Sequence, residues 1–78
     1  MDHPLERKIK GDPIYRFELR GKIATAGFRT VGDFALAIGV DPARVSRIIC
    51  GWELPNAKIR AAMAEKLNLS IDDFVKLL

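Results

Sequence analysis

Two arginines spaced one helical turn apart, Arg44 and Arg47, carry the groups in this chain best suited to recognising a ligand. A guanidinium can donate two parallel hydrogen bonds to the O6 and N7 atoms of guanine in the major groove of DNA. The same group can instead contact a phosphate or form a surface salt bridge. The residue type makes both arginines candidate base contacts and leaves the other two roles open.

Two smaller residues beside the arginines are further candidate base contacts. Ala43 can touch a thymine methyl group, or it can serve only as a good helix former. Ser46 can bond a base or a phosphate, directly or through water, or its hydroxyl can face its own helix. The candidate base contacts are therefore Ala43, Arg44, Ser46 and Arg47.

Boundary signals predict a short helix just before these residues. Thr30, followed three positions later by Asp33, forms a capping box in which each side chain can satisfy a free backbone N–H of the first turn. Phe34 and Ala35 then open an apolar face. Gly39 can adopt the left-handed conformation that ends such a helix.

A second helix is predicted over residues 42–50. Asp41 is an N-cap residue, and the proline that follows it lacks the N–H that would be unpaired at the first helical position. Val45 and Ile48 point to one side of this helix and the two arginines to the other. Gly51 stops it.

The two helices and their turn resemble the helix-turn-helix family of lambda repressor and phage Cro. The matching segments are Phe34-Ala35, Ile38-Gly39-Val40, Val45-Ser46-Arg47-Ile48 and Gly51, with Pro55 four residues later. In that family a small residue at the position of Ala35 lets the helices cross closely, and a glycine at the position of Gly39 makes the turn. Many members carry Gln at the position of Val31 and polar residues at those of Ile49 and Cys50, so the family's phosphate contact is not transferred to Val31. The resemblance covers about residues 17–78 and implies a DNA-binding domain.

The whole chain is expected to be all-α, with a compact five-helix lambda-repressor-like domain over residues 14–78 that contains the helix-turn-helix at 30–51. Residues 1–13 mix proline, glycine and charge without a period, which predicts a flexible N-terminal arm; Arg7, Lys8 and Lys10 in it can follow a groove or stay disordered.

The remaining three helices are predicted from the same kinds of signal. A first helix is predicted over residues 14–26, with Leu19, Ile23 and either Ile14 or Phe17 buried. Asn56 caps a fourth helix that runs through residue 67, and the segment 68–70 repeats the order of helix stop, apolar residue and N-cap before a fifth helix.

Candidate phosphate contacts lie at helix starts and in the loop after the second predicted helix. Free backbone N–H groups at the start of the fourth helix favour an anion, and cationic side chains follow there. The indole N–H of Trp52 can brace the DNA backbone, although a loop tryptophan more often packs against the protein. The full set is Thr30, Trp52, Asn56, Lys58 and Arg60.

The last predicted helix has more apolar residues than one buried face requires. Ile71, Phe74 and Leu78 form a core stripe, whereas Val75 and Leu77 lie off it. In the family that the chain resembles, the corresponding helix contributes to a dimer. The candidate homodimer interface is therefore Phe74, Val75, Leu77 and Leu78; alternatively these residues only close the core.

Composition narrows the class of function. The chain has 78 residues, a net charge of +3 and one cysteine, and its longest apolar run is far shorter than the roughly 20 residues of a membrane span. We expect one cytoplasmic domain without signal segment or disulfide. With His3 and Cys50 as the only histidine and cysteine, we expect no enzymatic activity, metal or cofactor.

The expected function is sequence-specific binding of double-stranded DNA by a homodimeric transcriptional regulator, most simply a repressor. The alternative is a helix-turn-helix module used for protein contact, such as the antitoxin of a toxin pair or a phage accessory factor.

Overall fold

The computed structural model describes residues 14–78, so the predicted arm at residues 1–13 lies outside the described part of the chain. Over the described residues the chain folds into five α-helices with no strand, which confirms the all-α prediction. The helices are α1 Phe17–Thr25, α2 Val31–Ile38, α3 Pro42–Ile49, α4 Ala57–Lys66 and α5 Ile71–Val75. None of the helices within residues 14–78 has the length and apolar character needed to cross a membrane.

Helix α1 begins three residues later than predicted. The backbone N–H of Arg16 donates to the carbonyl of Ile49, 2.7 Å away, which holds this part of the chain against the end of α3 before the helix starts. Leu19 and Ile23 are fully buried as predicted. The expectation that Ile14 or Phe17 joins the core is wrong, since they are 70% and 56% exposed.

Four helix starts have the side-chain caps that the sequence predicts. In each case the side-chain oxygen accepts a hydrogen bond from a backbone N–H of the first turn, a contact that stabilises a helix by about 1 kcal/mol. The pairs are Thr30 with the N–H of Asp33 at 3.0 Å, Asp41 with Ala43 at 3.1 Å, Asn56 with Ile59 at 2.8 Å and Ser70 with Asp73 at 3.1 Å. The return bond that a full capping box requires, from the N–H of Thr30 to the Asp33 side chain, is not formed within residues 14–78.

Four helix ends share one Schellman motif. A left-handed residue follows the helix, and the next N–H donates to the carbonyl five residues earlier. The left-handed residues are Gly27, Gly39, Gly51 and Asn68, and the donors after them are Phe28, Val40, Trp52 and Leu69. Three of these donor residues are half-buried against the core, whereas Trp52 is 70% exposed.

The position of Gly51 is doubly restricted. Its φ is +88°, a backbone conformation that residues other than glycine rarely adopt. A Cβ there would also collide with the backbone carbonyl of Ile14. The end of α3 therefore lies directly against the chain that leads into α1.

The core lies where α2 crosses α3, with α1 packed on α3 and α4 packed on α2 and α5. Phe34 and Ala35 of α2 are fully buried here, as are Val45 and Ile48 of α3. The Phe28 ring meets Phe34 edge to face, with centroids 5.2 Å apart. The small residue at 35 thus sits in the closely packed crossing that was predicted for it.

Helix α5 differs from the prediction because it ends at Val75, after only five residues. Phe74 is fully buried within the single chain, and its assignment to a dimer interface stays a prediction. Ile71 is 43% exposed, so its predicted place in the core stripe is wrong. After the helix, the N–H of Leu77 donates to the carbonyl of Phe74, and Leu77 and Leu78 turn back, half-buried, against the core. Val75 stays 44% exposed.

Replacing Ala35 by leucine should lower the free energy of unfolding by about 1 to 3 kcal/mol, because a larger side chain overpacks the crossing of α2 and α3. Ala37→Leu is the matched control, since Ala37 lies exposed on the same helix. Chemical denaturation of the two variants and the parent measures both effects. Equal stability of all three proteins would contradict the close crossing.

Candidate nucleic-acid interface

Helix α3 divides cleanly into a buried and an outward face. Val45, Ile48 and Ile49 are essentially inaccessible to solvent and fix the helix to the core. The four candidate base contacts occupy the opposite side: Ala43, Ser46 and Arg47 are exposed and Arg44 is half-buried. The structure thus brings all four onto one surface.

A carboxylate that sequence reasoning missed joins the two arginines of this surface. Glu53 accepts a hydrogen bond from Nε of Arg44 at its Oε2 (2.7 Å) and from Nε of Arg47 at its Oε1 (3.0 Å). The Glu53 side chain is 26% exposed, against 41% and 53% for those of Arg44 and Arg47. A surface salt bridge was one of the roles that the sequence left open for these arginines. The structure shows it, and both arginines bind the same carboxylate.

The arginines favour the ionised form of Glu53 and lower its pKa. The hydrogen bond from Arg47 lowers the pKa of the Glu53 carboxyl below its ordinary 4.5; partial desolvation opposes this, and the hydrogen bond from Arg44 and the charges of both guanidinium groups add to the lowering. Each guanidinium uses only its Nε–H in these contacts. Within residues 14–78 the four Nη–H donors of each guanidinium make no hydrogen bond.

Arg16, also missed from the sequence, fixes the loop that carries Glu53. Its Nη1 donates to the backbone carbonyls of Ile48 and Glu53, the latter at 3.2 Å, and its Nε reaches the carbonyl oxygen of Leu78 at 3.4 Å. A cation at the C-terminal end of α3 also complements the helix dipole. Arg16 thus ties the start of α1, the end of α3 and the C-terminal segment into one support.

Some of the candidate phosphate contacts gather beside α3. Arg44, Asn56 and Lys58 line one open groove between the α2–α3 turn and the start of α4, together with Ile38–Asp41, Ile59 and Ala62. Arg60 is half-buried on α4 and is not among the residues of 14–78 that line this groove.

The other two phosphate candidates lie on the surface. Thr30 is exposed at the start of α2, where its hydroxyl oxygen caps the helix. Trp52 is 70% exposed, so the alternative that it packs against the protein is wrong. Within residues 14–78 its indole N–H makes no hydrogen bond, and the residue lies in the loop just after α3.

The potential metal ligands of residues 14–78 do not form a cluster. In this range no three His, Cys, Asp or Glu residues come together in a group that could hold a metal ion. Cys50 is a half-buried free thiol at the end of α3. His3 lies outside the described residues.

The Glu53 contacts should make stability depend on pH below about 4.5. Because the folded pKa of Glu53 is depressed, its contribution is present above the unfolded value of 4.5 and is lost as pH falls through the folded value. Melting temperatures of the parent and Glu53→Gln should differ at pH 7 and converge as the solution is acidified. A difference that stays constant down to pH 3 would contradict the pairing in solution.

Comparison with known proteins yields no relative: no family model, no curated protein and no solved structure matches this chain significantly.

Proposed function

We propose that this protein binds double-stranded DNA in a sequence-specific manner through a lambda-repressor-like helix-turn-helix formed by α2 and α3. The observation that carries the proposal is the outward face of α3, where two arginines, a serine and an alanine lie together on a helix whose other face is locked into the core. A helix held in this way can enter the major groove and present side chains to base edges. Without such a helix, base contacts would depend on flexible loops.

The groove beside α3 supports contacts to the DNA backbone. Lys58 and the free N–H groups of the α4 start lie beside Arg44, so a phosphate next to the major groove could be bound while α3 contacts bases. Such contacts give affinity and register but no sequence information. A sequence-specific DNA-binding protein needs both kinds of contact, here base contacts from α3 and phosphate contacts from the start of α4.

A homodimer that acts as a transcriptional repressor in the cytoplasm is the simplest form of this function. Helix α3 has eight residues and is about 12 Å long, so one copy can contact only a few base pairs. Two copies on a near-palindromic site would supply the missing specificity. A bound dimer over a promoter would exclude polymerase.

A protein-binding role is the second candidate, as in an antitoxin or a phage accessory factor. The observation that favours it is the exposure of two large apolar side chains in the loop after α3, Trp52 at 70% and Leu54 at 66%. Contiguous exposed apolar surface often marks a protein interface. The dependence of binding on salt distinguishes the candidates, since DNA binding weakens steeply as salt rises and a hydrophobic interface does not.

Arg44→Ala and Arg47→Ala should each weaken binding to a site selected from random duplexes by about 1 to 3 kcal/mol and relax the preference at one base pair. Lys66→Ala removes the same charge at the far end of α4 and is the control. Binding of each variant to the selected duplex and to single-base variants of it gives both quantities. If the two arginine variants bind as tightly and as selectively as the parent, α3 is not the recognition helix.

The parent should form a dimer on DNA with its two α3 helices about 34 Å apart, one turn of the duplex. Val75 is the exposed residue of the candidate interface, so Val75→Glu should weaken dimerisation, whereas Lys76→Gln, with the same change in charge, should not. Analytical ultracentrifugation of free and DNA-bound protein tests this. A dimer unaffected by Val75→Glu would exclude α5 from the interface and leave Trp52 as the next candidate.

A further inference from the structure

We propose that Glu53 is a positioning residue: its carboxylate holds Arg44 and Arg47 so that their Nη groups point at base edges, and it thereby makes the protein selective for guanine. The inference rests on the proposed binding of DNA. It adds to that function a specificity-determining residue that lies outside the recognition helix.

The atoms through which the arginines bind Glu53 leave their Nη groups out of the contact. Both arginines bind Glu53 through Nε, and each takes a different carboxylate oxygen. The end of each guanidinium carries the two Nη groups, and this end is left without a hydrogen bond inside residues 14–78. Guanine presents O6 and N7 as a pair of acceptors, and a guanidinium can meet that pair with two parallel donors. The contact with Glu53 therefore orients each arginine without using the donors that the base requires.

Glu53 is itself held in place by the fold. Its backbone carbonyl accepts a hydrogen bond from Nη1 of Arg16, which also binds the carbonyl of Ile48 at the end of α3. The loop around it is bounded by the restricted Gly51 and by Pro55, which is buried. The carboxylate is thus fixed relative to α3. A side chain ordered before binding loses less conformational freedom when the ligand arrives.

The carboxylate of Glu53 also lowers the positive charge of this surface. Two arginines contribute +2 and the carboxylate −1, so the three side chains together carry +1. A lower positive charge weakens the attraction to phosphate that every DNA sequence offers equally. Binding then depends more on hydrogen bonds to bases, which differ between sequences.

The spacing of the arginines defines the ligand. Three residues along an α-helix span about 4.5 Å, and base pairs are stacked about 3.4 Å apart. Arg44 and Arg47 can therefore reach guanines in neighbouring base pairs, or in pairs separated by one step. The expected ligand is a duplex with two closely spaced guanines in each half-site.

Two substitutions separate the charge of Glu53 from its geometry. Glu53→Gln removes the charge and one acceptor oxygen, whereas Glu53→Asp keeps the charge but is one methylene too short to bridge both arginines. Glu65→Gln is the control, because Glu65 is exposed on α4 and makes no salt bridge within residues 14–78. Each protein is titrated with a duplex selected by the parent and with a copy whose candidate guanines are replaced. Both titrations are made at two salt concentrations, and melting temperatures verify folding.

Positioning predicts that both Glu53 variants lose discrimination between the two duplexes by about tenfold, the scale of one good bidentate contact. Glu53→Gln should also bind the replaced duplex more tightly at low salt, and Glu65→Gln should keep the discrimination of the parent. If either folded Glu53 variant discriminates as well as the parent, or if Glu53→Gln strengthens binding to both duplexes equally, Glu53 does not position the arginines. A parent that selects no duplex at all contradicts the proposed function, and the inference falls with it.

Discussion

The five helices within residues 14–78 are five to ten residues long, and the fold depends on how their ends are satisfied. Each α-helix leaves about four N–H groups and four carbonyls without an internal partner. In an eight-residue helix about half of the backbone N–H and carbonyl groups therefore need hydrogen-bond partners from outside the helix. Four starts use side-chain caps and four ends use the same left-handed turn. These devices set where the chain turns between helices, while the buried apolar residues of α2 and α3 fix which side of α3 faces outward.

The end of α3 has an additional support that links the fold to the candidate site. The carbonyl of Ile48 accepts hydrogen bonds from the backbone of Gly51 and from the side chain of Arg16, and Arg16 also holds the carbonyl of Glu53. Glu53 in turn binds the two arginines of α3. One guanidinium at the start of α1 is therefore connected, through a single loop residue, to the side chains proposed to contact bases. A change at Arg16 would therefore reach Arg44 and Arg47 through the loop and not by direct contact.

Local and long-range features differ in how well the sequence predicts them. Thr30, Asp41, Asn56 and Ser70 were identified as caps because the residues that they bond are two or three positions away, and these predictions are confirmed. The contacts of Arg16 span more than thirty residues and carry no local signal. Glu53 lies beyond Gly51, outside any helical register with the arginines, so only its opposite charge could have suggested the pairing. The stripe predicted for α5 is wrong at Ile71, which is exposed at the first turn of the helix, and periodicity also did not reveal that the helix stops at Val75.

The kinds of cap also bear on which helix starts can meet phosphate. Helix α3 is capped by the carboxylate of Asp41, and α2 has Asp33 in its first turn, so a negative charge already occupies both positive helix ends. Helix α4 is capped by the neutral amide of Asn56, has no acidic residue in its first turn and carries Lys58 there. No acidic side chain caps α4, so its dipole favours an anion in the groove that it shares with Arg44, although the carboxylate of Asp41 lines the same groove and opposes this attraction. Of the candidate phosphate contacts, Asn56 and Lys58 have the strongest electrostatic support, and Thr30 has less because Asp33 would repel the same phosphate.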